Sequence, residues 1–310
     1  MTDVSDAFTL KDGAVYPFQI ENASVRGRYA RLGLESMDPI LRRHAYPDDV
    51  ARLVGEAVAV AALIGASLKA KGRLIVQAEG DGPVSMLVGE FAGEGDLRGY
   101  ARFDAKRIDA ARRDLGFGRM PLKSALGEGA FAVSFLPEGG AQPYQSVASL
   151  EGETLAAVAE KHFQQSEQIP TRLRISVAEI DRPGEPSQWR AGAALLQQIA
   201  PDATRGDTEE DWSRAAILFE TLEDDELADP ELTPAALLHR LYHEDGVRVF
   251  EPLLVRDQCT CSPDRVAAVL QKTPLDERLD MADPDGLLRA KCQFCSREYV
   301  LDPSSLEVLS

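Results

Sequence analysis

The chain has 310 residues, and 51 acidic against 34 basic side chains give it a formal net charge of −17. A surface this acidic repels phosphate backbones and anionic lipid, so neither nucleic acid nor a membrane is expected as the main partner. The length exceeds one typical domain, which predicts two or three units, the largest with a substantial core.

The N-terminus, Met1 to Asp6, has no basic region followed by an apolar one, so no signal peptide is expected. The most apolar run, Ala57 to Leu68, is too short to span a bilayer. All cysteines lie late in the chain, which argues against a secreted disulfide scaffold and for a reducing compartment. A soluble, cytoplasmic protein is the expectation.

Val15 to Ile20 reads as a short strand, and Val25 to Leu32 alternates apolar and basic side chains as a half-exposed strand does. After His44-Ala45-Tyr46-Pro47 comes the clearest helix. Asp48 or Asp49 is its N-cap candidate, and Val50, Leu53, Val54, Ala57, Val58, Ala61, Ile64 and Leu68 recur at helical spacing. Its alanines and Gly65 suit close packing against a sheet. His44 has no partner cluster that would make it a ligand or base. Arg42-Arg43 and Arg112-Arg113 are the places for a local basic patch, though such pairs are usually solvated surface.

Three strand-like runs follow, Arg73 to Ala78, Val84 to Glu90 and Leu97 to Phe103, separated by Gly80-Asp81-Gly82-Pro83 and Gly93-Glu94-Gly95-Asp96. Those clusters make tight turns, and the pattern predicts an antiparallel meander. No helix with a Lys-Ser/Thr pair follows Gly80-Asp81-Gly82, so it reads as a hairpin turn and not as a phosphate loop. Gly127 to Phe135 and Tyr144 to Leu150 are extended. A helix then runs from Glu151 to about Gln165, Ser166 to Thr171 breaks it, and Arg172 to Val177 is a strand. Trp189 to Ile199 is a helix or a strand, its type left open by the pattern. The expected class is α+β, a mostly antiparallel-sheet core with packed helices.

Composition changes at Asp202. Through Glu231, a dozen acidic side chains meet only Arg205 and Arg214, yet Trp212, Ala215, Ala216, Ile217, Phe219 and Leu222 mark an amphipathic helix. A second helix spans Pro234 to His243. This is read as an acidic helical linker, marginal by itself because like charges repel and only a docked apolar face offsets them. His239 and His243 stand at metal-ligand spacing, but without the intervening Glu of a zinc-protease helix, and a second metal is not favoured.

Val247 to Val255 is extended and leads to Cys259-Thr260-Cys261, answered by Cys292-Gln293-Phe294-Cys295. Two short chelating pairs with no spare cysteine suit one tetrahedral zinc. In the CxC, side chains at i and i+2 of an extended strand leave on one face. Ser262-Pro263 starts a helix between the pairs, a short one falls near Leu275 to Met281, and Tyr299-Val300-Leu301 pairs back across the CxxC turn. So small a unit needs the metal to fold. The spacing leaves two readings open: an inert structural zinc ribbon, or a zinc that holds a redox switch in its reduced state. The division is 1–200 core, 201–254 acidic helical linker and 255–310 zinc domain.

These residues resemble a family, the redox-regulated holdase chaperones typified by the 33-kDa heat-shock protein, or 33-kDa chaperonin. The resemblance rests on Cys259 to Val266, on Cys292 to Cys295 with Tyr299, on Leu241 to Val247, on Gln165 to Thr171, and on Gly80 to Pro83 with Arg98 to Arg102. It implies a substrate-binding core, a helical linker and a four-cysteine zinc domain. It implies an ATP-independent chaperone, quiescent when reduced, that binds unfolding client proteins under oxidative stress, and a homodimer when oxidised. Proximity within each pair favours Cys259–Cys261 and Cys292–Cys295 disulfides on oxidation. The alternatives are a thiol–disulfide oxidoreductase using Cys292 and Cys295, or a zinc-ribbon interaction protein. With no Walker A loop and no nucleophile–base constellation, no enzyme activity is expected.

Overall fold

The computed structural model describes residues 11–21, 23–116, 118–199 and 208–307. The N-terminal stretch Met1 to Asp6 and the start of the acidic segment, Asp202 to Asp207 with Arg205, lie outside the described residues. The chain divides into two compact units, Met1–Asp257 and Gln258–Ser310.

The first unit is organised around one helix. It opens with strands β1 (Ala14–Ile20) and β2 (Val25–Leu32), a short helix α1 (Asp38–Arg42) and the long α2 (Asp48–Gly65). Sixteen residues of α2 are buried, on every side of the helix, among them Val50, Val54, Val58 and Leu63. A helix apolar all round belongs inside a core. The meander β3 (Gly72–Gly80), β4 (Val84–Ala92) and β5 (Asp96–Phe103) lies against it, and a Cβ on Gly89 would overlap the backbone of Ala57 and Val58. Helices α3 (Ala105–Leu115) and α4 (Leu122–Leu126), strands β6 (Gly129–Pro137) and β7 (Tyr144–Ser149), and α5 (Leu155–His162) with a π-helical turn over Phe163–Glu167 come next. Strands β8 (Thr171–Ile180) and β9 (Gln188–Gln198) end this stretch.

Two six-stranded sheets result. One runs β12-β5-β4-β3-β6-β7, where β12 is Arg256–Asp257. The other runs β10-β1-β2-β9-β8, with β10 at Val247–Val249 and β11 (Leu253–Leu254) also on β1. Every pairing is antiparallel except β12 with β5. The α+β class is as expected from the sequence.

The undecided segment Trp189 to Ile199 is strand β9. Its Ala193 and Leu195 join the core around α2, while Ala194 and Leu196 join a second core on the other face of the sheet. Both faces are buried, which removes the alternation that identifies a strand. Asp48 and Asp49 do not cap α2; Pro47 holds that position, and Asp49 accepts the Met120 N–H at 3.2 Å and pairs with Arg112. The Arg42-Arg43 pair forms no free basic patch: Arg42 meets Asp38 at 2.8 Å and Glu179 at 2.9 Å, and Arg43 meets Asp257.

The acidic segment forms helices α6 (Thr208–Glu220), α7 (Asp224–Ala228) and α8 (Pro234–Tyr242), all within the first unit. Thr233 caps α8 by accepting the Ala236 N–H, with Pro234 at its first position. Phe219, Leu222, Leu227, Leu238, Leu241 and Tyr242 are buried against Tyr16, Phe18, Ile20, Tyr29 and Leu196 of the sheet. Trp212 is half-buried in that core. Ile217 is 65% exposed and not on the docked face, contrary to the sequence reading. Among the described residues, no helix is long and apolar enough to cross a membrane.

The second unit has helices α9 (Pro263–Leu270) and α10 (Leu275–Asp280) and a hairpin, β13 (Leu288–Lys291) with β14 (Glu298–Leu301). Its core is Leu288, Tyr299, Leu301 and Leu306, flanked by Cys261, Val266 and Leu270.

Candidate metal centre

Cys259 and Cys261 sit in irregular backbone just before α9, not in a strand as the CxC spacing suggests. The helix start fixes them. Ser262 caps α9 by accepting the Arg265 N–H at 3.3 Å, Pro263 takes the first helical position, and Arg265 reaches back to the Thr260 carbonyl at 2.5 Å.

Cys292 and Cys295 occupy the turn of the β13–β14 hairpin. Cys292 donates its N–H to Arg297 O and accepts the Ser296 N–H at its own carbonyl, each at 2.9 Å. The turn closes through Ser296 at φ 58°, a left-handed conformation that Gly adopts more readily. A thioredoxin-type dithiol is activated at a helix N-terminus; this pair leads from one strand to the next.

The four sulfurs lie within 4.8 Å of one another, all half-buried. Cys259 Sγ and Cys292 Sγ are 3.8 Å apart, and Cys261 Sγ and Cys295 Sγ 3.3 Å. Four thiolates on a tetrahedral ion with bonds of about 2.3 Å are separated by about 3.8 Å, so the donor set fits a zinc-sized ion. The Tyr299 hydroxyl donates to Cys261 Sγ at 3.1 Å. Burial pushes the Cys261 thiol up, but hydrogen bonds from Tyr299 and the neighbouring thiols outweigh it and bring the group down to about 7. Burial first, and then competition with those thiols, push Cys295 up to about 12. A soft dication is what would ionise all four thiols.

The sequence named all four cysteines, and the fold brings all four together. It placed Tyr299 in the pairing strand and among the residues of the family resemblance, without a role at the sulfurs; the O–H to sulfur contact carries no sequence signal. His44 lies against the Tyr46 ring, centroids 5.1 Å apart, and His239 stacks on His243 at 5.5 Å. Among the described residues neither gathers the further ligands of a metal site.

Residues 13–302 match the family model described as Hsp33 protein. The 33 kDa chaperonin of Caulobacter vibrioides (strain NA1000 / CB15N) is 46% identical over 303 residues, covering 98% of this chain and 99% of its own. That of Ectopseudomonas mendocina (strain ymp) is 35% identical over 295 residues, covering 94% and 93%. The crystal structure of the 33 kDa chaperonin from Thermotoga maritima superposes with a TM-score of 0.77 over 96% of this chain and 97% of its own, at 24% identity, a likeness of fold. The chain belongs to the Hsp33 family.

Proposed function

We propose that the chain is a redox-regulated, ATP-independent holdase that binds unfolding proteins in the cytoplasm under oxidative stress. Residues 1–200 act as the client-binding core, 201–254 as a switchable linker and 255–310 as the redox switch. One observation carries this reading: a segment rich in like charge covers the outer apolar face of a sheet whose other face is already filled by α2. Removing that cover exposes a broad apolar surface and leaves the main core in place.

Cys259, Cys261, Cys292 and Cys295 would hold zinc as thiolates. Bound zinc supplies the cross-link that a core of four buried side chains is too small to replace. An oxidant of the peroxide class takes two electrons from each thiolate pair and, with two protons from solvent, is reduced to water. Disulfides Cys259–Cys261 and Cys292–Cys295 form and the donor set is lost. The second unit then unfolds, the acidic segment undocks, and the sheet face opens to clients. The active form is a homodimer in this reading.

The test compares suppression of client aggregation by the reduced, zinc-loaded protein and by the protein treated with peroxide and heat. Activity confined to the oxidised form, with hydrogen exchange opening at 208–243, is expected. Equal activity of both forms sinks the redox switch, and sedimentation of the oxidised form checks the dimer.

A further inference from the structure

The contacts beneath the acidic segment are of two kinds, and both have a direction. The first kind reaches main-chain carbonyls at the end of α7 and in the loops on either side of it. Tyr29 Oη donates to Leu227 O at 3.3 Å, and Arg174 Nη2 to Leu222 O at 2.7 Å. Arg31, itself buried, donates to Asp229 O at 3.2 Å, to Leu232 O at 2.9 Å and to Pro230 O. Carbonyls at a helix C-terminus or in a loop have no partner within a helix, so once covered they need donors from outside the segment. Burial pushes the Tyr29 hydroxyl up to about 12, so it remains a donor at neutral pH.

The second kind are ion pairs. Arg172 meets Glu220 at 3.4 Å, Arg174 meets Asp224 at 4.0 Å, and Arg182 meets Glu231 at 2.8 Å. In each, the cation stands on the core and the carboxylate on the segment. Among the described residues, the segment's own arginines are used internally: Arg214 with Asp211 and Asp245, Arg240 with Glu226. A strongly acidic protein thus keeps an arginine border along the β8 edge of the sheet that carries the apolar field of Tyr16, Phe18, Tyr29 and Leu196.

We propose that this face, once uncovered, selects unfolded segments that carry acidic side chains beside apolar ones. Tyr29, Arg31 and Arg174 hold main-chain carbonyls whatever the sequence, and Arg172 and Arg182 hold carboxylates. This rests on the reading above, that the acidic segment withdraws. The segment is the template: what it leaves behind is donors facing carbonyls, arginines facing acids, and an apolar floor. Basic segments meet like charge at the border and are disfavoured.

The test uses the full-length, oxidised, zinc-free protein and three labelled peptides with one apolar core and flanks of Glu, Ser or Lys, read by fluorescence anisotropy. The Glu-flanked peptide is expected to bind about tenfold tighter than the Lys-flanked one at low salt, from several exposed ion pairs acting together, with the gap closing as salt rises. Arg172 and Arg174 have side chains 40% and 41% exposed, so R172E/R174E leaves the cores intact and should invert the order. Equal binding of all three peptides, or an unchanged Glu preference in R172E/R174E, overturns the inference. Hydrogen exchange separates the two failures. If 208–243 opens on oxidation and the peptides are not discriminated, this inference alone falls; if that region stays protected, the face is never presented and both readings fall.

Discussion

The Tyr299 hydroxyl donates to the sulfur of Cys261 at 3.1 Å from a ring only 3% exposed. A buried donor aimed at a thiolate stabilises that sulfur as an anion and orients it. Tyr299→Phe keeps the ring and removes the donor. Zinc affinity by chelator competition should fall on the order of tenfold, with the hairpin intact by circular dichroism. Unchanged affinity would leave the tyrosine with a packing role only.

Each cysteine should be needed for metal binding. A single Ser substitution removes one soft ligand and should sharply weaken zinc binding, and a chelator should unfold 258–307 while the α2 core survives. The metal contribution to folding in comparable small modules is on the order of 10 kcal/mol. Stoichiometric zinc in a Cys261→Ser, Cys292→Ser double variant would contradict the ligand assignment.

Disulfide connectivity poses a sharper question, because both sulfur approaches described for the folded unit run across the pairs, Cys261 to Cys295 at 3.3 Å among them. We expect bridges within the pairs nonetheless. Once the unit loosens, thiols one or two residues apart meet far more often than thiols separated by the whole of α9, α10 and β13. The CxC bridge should form later or reduce more easily, since a disulfide between residues i and i+2 closes a small, strained ring. Peptide mapping that found mainly Cys261–Cys295 would overturn this.

Phe219 is 1% exposed in the core between the acidic segment and the sheet, while Ile217, two residues away, faces solvent. Phe219→Asp loses a buried aromatic, a change that costs about 3–5 kcal/mol in a well-packed core, and adds an uncompensated charge. Chaperone activity without oxidation should follow, with exchange protection lost over 208–243 and kept in α2. Ile217→Asp should be silent in both assays. Equal behaviour of the two variants would mean that docking does not control activity.

His162 offers a pH test. It is buried beside Phe131 and Phe163, and burial holds its pKa below the ordinary 6.5; the Ser146 backbone and Glu167, which face it, oppose that shift. A base whose pKa is depressed on folding takes up its proton more readily unfolded. Its neutral form therefore costs nothing above about pH 6.5, and stability falls as pH drops through that value toward the folded pKa. Urea unfolding at pH 7.5 and 5.5 should show a smaller difference for His162→Leu than for the parent. An identical difference would show that protonation of His162 is not linked to folding.

How much of this was visible in the sequence depended on how each residue signals. The cysteines announce themselves by spacing, and the meander by its glycine turns. β9 was undecidable because Ala193 and Ala194 are both buried, on opposite faces. Helix α3 was missed because Ile108 is its one buried residue, so it carries no apolar stripe, although Asp104 caps it by accepting from Lys106 and Arg107. Arg31 looked like one more basic position in an alternating strand. Its role depends on carbonyls some 200 positions later, at Asp229, Pro230 and Leu232, and local patterns carry no trace of such a contact.

The sheet shared by two cores has a further consequence, for recovery. With β1, β2, β8 and β9 held in register by α2 on one side, the opposite side is a finished mould. A detached segment can fold back onto it without a search for topology, guided by Arg31 and by the Gly192 position, where a Cβ would overlap the Leu227 carbonyl. Where the acidic segment withdraws as proposed, its return is a local refolding event on a standing template, on the timescale of helix formation and docking. The slow step of any return to rest would then be chemical: reduction of the disulfides.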